Sequence, residues 1–326
     1  MKKRVRVAVT GGAGQIGYSL LFRLASGEVF GPSVIVDLNI LELPIAVKSA
    51  AGTAMEITDC AFDTCGEINC YDDATKAFDG INWALLVGST PRGPGMERND
   101  LIMSNGPLFV SQGKALAKAS SNLMAIVVGN PCNTNALIAL SNCSEVPSSR
   151  FTAMTMLDEN RAKAQLALKA GVAVDQVKNI VIWGNHSSTM YPDFENSTIN
   201  GKPTTEVIKD RKWLENDFIS IVQKRGAEVI AARGKSSAAS AASACIDLVK
   251  NLNTGKGNEV FSTAVLTNGE WYNLPKGLVF SLPVKAKGQG SYEVVENFKL
   301  SNFAKEKISL TCKELEEEKK VISNLL

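Results

Sequence analysis

The amino-terminal part of the chain alternates short apolar runs with segments of helical periodicity. An apolar run at residues 4–10 leads into a glycine-rich turn, and behind the turn Ile16, Leu20 and Leu24 recur at helical spacing. Three further apolar runs, SVIVDLNIL, INWALLVGS and NLMAIVVGN, are separated by helix-like segments such as GPLFVSQGKALAKAS. Uninterrupted apolar runs are typical of strands that are buried on both faces. The pattern predicts a doubly wound parallel sheet over residues 1–150.

The pattern loosens beyond residue 150. The segment LDENRAKAQLALKAGV has the periodicity of an amphipathic helix, NIVIWG predicts a strand, and FSTAVLTNG, GLVFSLPVKAK and GSYEVV predict antiparallel strands. The alanine and serine run at residues 236–244 predicts a helix packed closely on a neighbour. Residues 302–326 predict a surface helix with one buried stripe and a solvated charged face. Residues 151–326 are therefore predicted to form an α+β domain, and the whole chain to be of the α/β class.

Composition narrows the class of protein. Hydrophobic residues make up 45% and charged residues 21% of the 326 residues, which is typical of a globular protein. The net charge of +2 gives no reason to expect nucleic acid or an anionic membrane as a partner. We find no signal peptide and no apolar run near the roughly 18 residues of a membrane span, so we predict a soluble, cytoplasmic protein. The seven cysteines are predicted to be reduced, structural thiols, with no metal site.

The first turn carries a recognisable glycine pattern. GGAGQIG contains G-x-G-x-x-G at Gly12, Gly14 and Gly17, between an apolar strand and a helix. Glycines at this spacing allow a tight turn, close approach of the backbone to a pyrophosphate, and close packing of helix on strand. The N–H groups at the start of the helix would face the anion. The segment predicts a Rossmann-type dinucleotide-binding domain.

The acid that would bind the adenosine ribose has two candidates. Asp37 lies twenty residues after Gly17, which is the usual spacing, whereas Glu42 lies where the second strand reaches the carboxyl edge of the sheet. Spacing favours Asp37 and strand length favours Glu42. Either carboxylate would repel a 2′-phosphate, so NAD is predicted in preference to NADP.

Four polar segments remain, and together they predict one site: PRGPGMERND, GNPCNTN, LDENR and GNHSS. His186, in GNHSS, is the only histidine of the chain. Its unperturbed pKa of about 6.5 suits an acid/base role near neutral pH. Asp158 precedes Arg161 by three residues at the start of a helix, so both can project from one face. A carboxylate bonded to one ring nitrogen would fix the histidine tautomer and stabilise the imidazolium.

The segment PRGPGMER has the composition of a hinged lid, with two prolines, two glycines and two arginines. Its arginines, Arg92 and Arg98, join Arg161 as three guanidinium groups, each able to hold a carboxylate through two hydrogen bonds. One such clamp suffices for a monocarboxylate, whereas a dicarboxylate would use two. The arginines therefore favour an anionic substrate, and a dicarboxylate above a monocarboxylate.

These motifs, with SQGKAL, WGNHSSTMYPD and SSAASAA, resemble the cytosolic-type malate dehydrogenases of the lactate/malate dehydrogenase superfamily over essentially the whole chain. The resemblance implies that His186 is the proton acceptor and Asp158 its partner. It implies that Arg161 binds the carboxylate next to the reacting carbon, Arg92 selects the distal carboxylate and Arg98 polarises the carbonyl.

The resemblance also implies the cofactor contacts and the biological setting. Asn130 would touch both substrate and cofactor, and counting back from Pro44 supports Glu42 as the ribose acid. The implied NAD contacts are Gly11, Gly12, Ala13, Gly14, Gln15, Ile16, Gly17, Glu42, Asn105, Gln112, Val128, Gly129 and Asn130. The implied reaction interconverts (S)-malate and oxaloacetate in the tricarboxylic acid cycle, and the implied assembly is a homodimer.

One departure and two rival interpretations follow from the same comparison. Cys132 stands where the family usually has alanine, which predicts sensitivity to thiol reagents without a change of chemistry. A lactate-type 2-hydroxyacid dehydrogenase is the nearest alternative, and the arginine in the predicted lid disfavours it. An inactive dinucleotide-binding module is the rival from another class, but such a protein has no use for a proton relay.

Overall fold

The computed structural model describes residues 2–90, 96–255 and 259–326. The strands in these ranges are β1 Lys3–Thr10, β2 Val34–Leu41, β3 Cys65–Tyr71, β4 Trp83–Leu86, β5 Met124–Val127, β6 Phe151–Ala153, β7 Val177–Lys178, β8 Ile182–Trp183, β9 Tyr191–Pro192, β10 Thr198–Ile199, β11 Lys202–Pro203, β12 Phe261–Leu266, β13 Val279–Gly288 and β14 Ser291–Val294. The α-helices are α1 Gln15–Ala25, α2 Val47–Asp59, α3 Ala74–Ala77, α4 Arg98–Leu116, α5 Cys132–Ser141, α6 Met156–Ala170, α7 Thr204–Val207, α8 Ile219–Arg233, α9 Ala239–Thr254 and α10 Asn302–Val321.

A large twisted sheet organises the molecule, with strands in the order β14-β13-β12-β6-β5-β4-β1-β2-β3. The six strands from β6 to β3 are parallel, and β1 lies between β2 and β4. The chain therefore reverses its direction of strand addition at β1, which brings the carboxyl ends of β1, β4 and β5 next to one another. Open α/β sheets bind ligands at such a point. The predicted doubly wound parallel sheet is confirmed.

Helices cover both faces of this sheet. On one face the odd-numbered valines of β1 pack with apolar residues of α1, α2 and α9, and on the other face Ala8 packs in a core that includes Phe109 of α4 and Leu137 of α5. Burial on both faces explains why the strands are uninterrupted apolar runs in the sequence. The predicted alanine-rich helix is α9, whose small buried residues lie close to α1 and α6.

The sheet does not end at the predicted domain boundary. Strand β6 pairs in parallel with β5, and the antiparallel strands β12, β13 and β14 then continue the same sheet from the opposite edge of β6. The second half adds a separate apolar core around Trp183, Phe194 and Phe218. The two halves therefore share one backbone frame, because neighbouring strands from both halves exchange hydrogen bonds. The sheet therefore continues across residue 150, and a domain boundary at this residue remains a prediction.

Three local predictions differ from the structure. NIVIWG contributes only the two-residue strand β8, and the N–H of Ile182 donates at 2.7 Å to the hydroxyl of Ser262 in β12, not to a backbone carbonyl of a neighbouring strand. Helix α4 begins at Arg98, earlier than the apolar pattern indicated, since Glu97 and Asp100 form a reciprocal capping box. In α10, the prediction that all charges are solvated is wrong, because Glu318 is only 4% exposed.

Helix α1 can approach β1 closely only because residue 17 is glycine. A Cβ atom at Gly17 would lie 2.4 Å from the carbonyl oxygen of Gly11 and 2.6 Å from Cα of Gly12. A Cβ atom at Gly14 would meet the same carbonyl at 3.2 Å, which a small shift can relieve. In the part of the chain that the structure describes, no helix is long and apolar enough to cross a membrane.

We expect Gly17→Ala to lower the free energy of unfolding by about 1–3 kcal/mol, since the added methyl group forces helix and strand apart. Gly14→Ala, in the same loop, is the matched control and should cost under about 1 kcal/mol. Urea unfolding of both variants without cofactor measures the difference. Equal losses of stability would contradict this account of the packing.

Candidate active site

The single histidine is paired with a buried carboxylate. Asp158 lies in the first turn of α6 with no exposed surface, and its Oδ2 atom is hydrogen-bonded to Nδ1 of His186. The His186 side chain is 18% exposed, so part of the ring reaches solvent while its Nδ1 atom is bonded to Asp158. A buried carboxylate bonded to Nδ1 favours a proton on that nitrogen and leaves Nε2 able to accept one.

Arg161 shares the carboxylate with the histidine. Its Nη1 atom donates to Oδ1 of Asp158 at 3.3 Å, and Nη2 donates to the Ser237 hydroxyl at 3.3 Å. The two residues are three positions apart on α6, so the predicted common face is confirmed. The arginine side chain is 13% exposed. A largely buried guanidinium beside the Asp158–His186 pair is suited to bind an anionic group near the histidine.

Asn133 anchors the histidine loop and was not predicted from the sequence. This fully buried residue of α5 accepts a hydrogen bond from the N–H of His186 at 2.9 Å. Its Nδ2 atom donates to the carbonyls of Gly184, at 3.2 Å, and Val279, at 2.9 Å. The amide therefore fixes the backbone on both sides of Asn185. Its position inside GNPCNTN was a signal, but the motif does not say which asparagine faces the histidine.

Gly184 allows this loop to turn. Its φ of +96° lies in the region that favours glycine, and a Cβ atom there would lie 2.1 Å from Cγ2 of Thr311 in α10. The same threonine accepts a hydrogen bond at Oγ1 from the N–H of Asn185 at 2.9 Å. The residue before the histidine is therefore held directly by the carboxyl-terminal helix.

The glycine-rich loop forms a cradle at the carboxyl end of β1. Gly11, with φ +68°, donates its N–H to the carbonyl of Leu41 at 2.9 Å, and Gly14 begins α1 as its N-cap. The helix has no acidic residue in its first turn and no side-chain cap. N–H groups at such a helix start suit an anion such as a pyrophosphate. The described residues of the loop therefore fit a dinucleotide.

The two candidates for the ribose acid lie in different surroundings. Oε1 of Glu42 accepts the N–H of Ala13 at 2.8 Å, which places this carboxylate against the glycine loop. Asp37 is buried, pairs with the guanidinium of Arg4, and accepts the N–H of Glu67 at 2.9 Å. Asp37 is therefore occupied by structural contacts, whereas Glu42 stands beside the cradle.

The other predicted cofactor contacts lie around the carboxyl ends of β4 and β5. Asn130, which is exposed, follows β5 and precedes a cis peptide bond to Pro131. Asn105 of α4 is fully buried, accepts the N–H of Thr90 at 2.7 Å and donates to the carbonyl of Asn130 at 3.3 Å. Gln112 is 3% exposed. The remaining predicted contacts sit in the loop, at the start of α1 and just after β5: Gly12, Gln15, Ile16, Gly17, Val128 and Gly129.

The two predicted lid arginines are placed differently. Arg92 lies outside the described residues. Arg98 is the first residue of α4, and its Nε atom donates to Oε1 of Glu318 in α10 at 2.5 Å. Its Nη2 atom is buried and has no hydrogen-bond partner among the described residues. Arg98 therefore belongs to a helix and an ion pair, not to a free loop.

Glu318 forms hydrogen bonds with three segments near the site. Besides Arg98, it accepts hydrogen bonds from the hydroxyl of Thr134 in α5 and from Nδ2 of Asn185 at 2.8 Å. One turn earlier, Glu314 accepts from Nδ2 of Asn185 at 2.9 Å. This role was not predicted, because Glu318 lies in an acidic run that is typical of a solvated helix face.

The predicted sensitivity of Cys132 to thiol reagents is not supported by its surroundings. Its side chain is 1% exposed at the start of α5. Burial, with a smaller effect from Asp158, raises the pKa of the Cys132 thiol to about 12. Since the thiolate is the reactive species, a protonated and buried thiol is inert near neutral pH. All seven cysteines are free thiols. No cluster of residues suited to a metal ion is found within the described ranges.

Comparisons with known proteins identify the family of this chain. The family described as lactate/malate dehydrogenase matches twice, with its NAD binding domain at residues 5–152 and its alpha/beta C-terminal domain at residues 155–325. The chain is 53% identical over 327 aligned residues to a malate dehydrogenase of Magnetococcus marinus, covering 100% of this chain and 99% of that protein.

Solved structures give the same relationship. A malate dehydrogenase of Naegleria fowleri superposes with a TM-score of 0.96 at 43% identity and covers 100% of both chains. A lactate dehydrogenase of Trichomonas vaginalis, solved in complex with NADH and oxamate, superposes with a TM-score of 0.94 at 35% identity and covers 98% of both chains. The chain therefore belongs to the lactate/malate dehydrogenase family of NAD-dependent oxidoreductases.

Proposed function

We propose that this protein is a malate dehydrogenase that interconverts (S)-malate and oxaloacetate, with NAD as the hydride acceptor. The observation that carries the proposal is the pairing of His186 with the buried Asp158 beside Arg161. This arrangement offers a proton acceptor next to a guanidinium that can bind a carboxylate. The relative from Magnetococcus marinus, which is named a malate dehydrogenase, supports the choice of substrate.

His186 serves as the acid/base. With Nδ1 bonded to Asp158, the Nε2 lone pair accepts the hydroxyl proton of malate, and the Asp158 carboxylate stabilises the imidazolium that results. In the reverse direction His186 returns this proton to the oxygen of oxaloacetate. When NAD is bound, its nicotinamide supplies the site that receives the hydride from the second carbon of malate.

The arginines orient the dicarboxylate. Arg161 is proposed to bind the carboxylate next to the reacting carbon, Arg98 to polarise the carbonyl, Arg92 to select the distal carboxylate, and Asn130 to contact both substrate and cofactor. The role of Arg161 is supported by its hydrogen bond to Asp158. The role of Arg98 is supported by its buried Nη2 atom, which has no hydrogen-bond partner among the described residues. The role of Arg92 rests on the sequence resemblance.

The cofactor is proposed to lie along the glycine loop, with its pyrophosphate at the start of α1 and its ribose at Glu42. The contact between Glu42 and the N–H of Ala13 supports this position. Asn105 and Gln112 lie in α4, and we propose that they support the nicotinamide end together with Val128 and Gly129. A carboxylate at the ribose would disfavour NADPH by charge repulsion.

The substrate is the point at which the runner-up differs. The relative from Trichomonas vaginalis is a lactate dehydrogenase, so family membership alone leaves both 2-hydroxy acids open. Three mixtures separate the possibilities: NADH with oxaloacetate, NADH with pyruvate, and NADPH with oxaloacetate. In each, the loss of absorbance of the reduced nicotinamide is measured. We expect loss with oxaloacetate and NADH. No loss in any mixture would instead support an inactive dinucleotide-binding module.

We further propose a homodimer, a cytoplasmic location and a role in the tricarboxylic acid cycle, all on the sequence resemblance. Exposed apolar side chains beside and within α2 support the dimer: Leu43, Ile45 and Met55 are 61%, 92% and 67% exposed. Several exposed apolar side chains along one segment, unlike a single one, are suited to a contact with a second chain. A solution mass equal to the monomer's 34.9 kDa would contradict the dimer.

We expect His186→Asn to lower kcat by about 10²–10⁴-fold, which is the usual contribution of a general acid/base. Binding of NADH should be unchanged, because the histidine contacts the reacting oxygen and not the dinucleotide loop. Stopped-flow turnover and fluorescence titration with NADH measure the two quantities. A variant with wild-type turnover would exclude His186 from the chemistry.

We expect Arg92→Gln to reduce the preference for oxaloacetate over pyruvate, expressed as the ratio of kcat/KM values, by about 10–100-fold. This range corresponds to the roughly 1.5–3 kcal/mol of a hydrogen bond between charged groups. Arg23→Gln is the control, since Arg23 pairs with Glu28 at the opposite end of α1 from the glycine loop. An unaltered ratio in Arg92→Gln would show that another residue selects the substrate.

A further inference from the structure

We propose that Glu318 is a positioning residue for Arg98: it binds the guanidinium at Nε and so presents an Nη2 N–H to the carbonyl oxygen of the substrate. The inference rests on the proposed function, in which Arg98 polarises that oxygen. It assigns a positioning role to α10, whose acidic residues are typical of a solvated surface in the sequence.

The Glu318 carboxylate is buried and hydrogen-bonded through both oxygens. Glu318 is 4% exposed, and both of its oxygens are occupied: Oε1 accepts from Arg98 and Asn185, and Oε2 accepts from Thr134. A buried carboxylate must be paired and hydrogen-bonded, or its desolvation is not compensated. Arg98 supplies the cation and the other two supply neutral donors. The carboxylate therefore cannot turn away without losing several bonds.

The Arg98 guanidinium is oriented by its bond to Glu318. Nε of Arg98 is 2.5 Å from Oε1 of Glu318, whereas Nη2 is buried and unpartnered within the described residues. A guanidinium is rigid and planar, so fixing Nε fixes the direction of both Nη atoms. A buried donor without an acceptor is destabilising, and a substrate oxygen that accepted from it would remove this penalty on binding. The ion pair thus orients an arginine that still has a donor to offer.

The Arg98–Glu318 pair is linked to the histidine loop. Asn185, which donates to Glu318 at 2.8 Å, is the residue directly before His186. Asn133, the neighbour of Thr134 in α5, accepts the N–H of His186 at 2.9 Å, so the segment that donates to Glu318 also holds the histidine loop. Glu318 holds the arginine and the histidine loop in a common frame.

A double-mutant cycle separates positioning from general stabilisation. Glu318→Gln keeps the shape of the side chain and removes its charge, and we expect it to lower kcat/KM for oxaloacetate by about 10–100-fold, as a misplaced catalytic group does. In an Arg98→Gln background, the same change should cost less than about 3-fold, because a glutamine oxygen can still accept from Asn185 and the lost charge acts through Arg98. Equal losses in both backgrounds, or no loss in Glu318→Gln, would overturn the proposal.

The controls address folding and the proposed function. Glu317→Gln changes the neighbouring exposed glutamate and should leave kcat/KM and NADH affinity at their wild-type values. Glu318→Asp keeps the buried charge, so it should fold, but its shorter side chain withdraws from Nε and should also lower kcat/KM. Wild-type kcat/KM in Glu318→Asp would contradict the proposal.

Unfolding supplies a readout that does not depend on activity. Arg98→Gln should lower the urea midpoint, because it leaves a buried carboxylate without its cation, and Arg98→Gln combined with Glu318→Gln should regain part of the loss. No regain would overturn the ion pair. If the wild type does not oxidise NADH with oxaloacetate, the proposed function itself fails. A wild type that turns over but shows equal losses in the cycle retains that function and excludes only the role of Glu318.

Discussion

A carboxylate with no exposed surface, Asp158, sets the requirements for the groups around it. A buried carboxylate is stable only when hydrogen bonds and positive charge replace the water that it has lost. His186 and Arg161 supply these partners, so the charge that fixes the imidazole also draws a guanidinium to the same place. The pairing of an acid/base with an anion-binding group is therefore a consequence of one buried charge.

The sheet explains how distant parts of the chain reach that charge. Asp158 follows β6, the last parallel strand, and the histidine loop follows β8 and is tied by Asn133 to α5, which follows β5. The glycine loop follows β1 in the same sheet. Because the parallel strands β1, β5 and β6 end at a common edge, the loops after them begin near one another. The histidine loop follows a strand outside this sheet and is brought to the same edge by its bond to Asn133. Continuity of the sheet through β6 and β12 holds the two halves in register.

The parts of the fold that depend on local pattern were predictable. The strand, glycine turn and helix at residues 3–25 have matching apolar spacing and turn residues, and the structure has them as β1 and α1. The common face of Asp158 and Arg161 follows from helical periodicity. The start of α4 at Arg98 was missed, since the capping box of Glu97 and Asp100 lies among residues that read as a loop.

The parts that depend on tertiary contact were not predictable. Burial of Glu318 arises where α10 crosses the starts of α4 and α5, and no spacing within KELEEEKK marks one glutamate as different from its neighbours. The same holds for Asp37 and Glu42, which sequence spacing left open and which their contacts with Arg4 and Ala13 distinguish. Charged residues are usually exposed to solvent, and the buried ones are recognised only from the partners that they have in the folded structure.

The most direct test of the account is the tautomer of His186, measured by nitrogen–proton correlation NMR on the untagged protein. Because the chain has one histidine, its imidazole signals need no assignment by mutation. We predict that the neutral ring carries its proton on Nδ1, facing Asp158, and that Nε2 is unprotonated. A neutral ring protonated at Nε2 would contradict it, because that nitrogen could not accept a proton from the substrate.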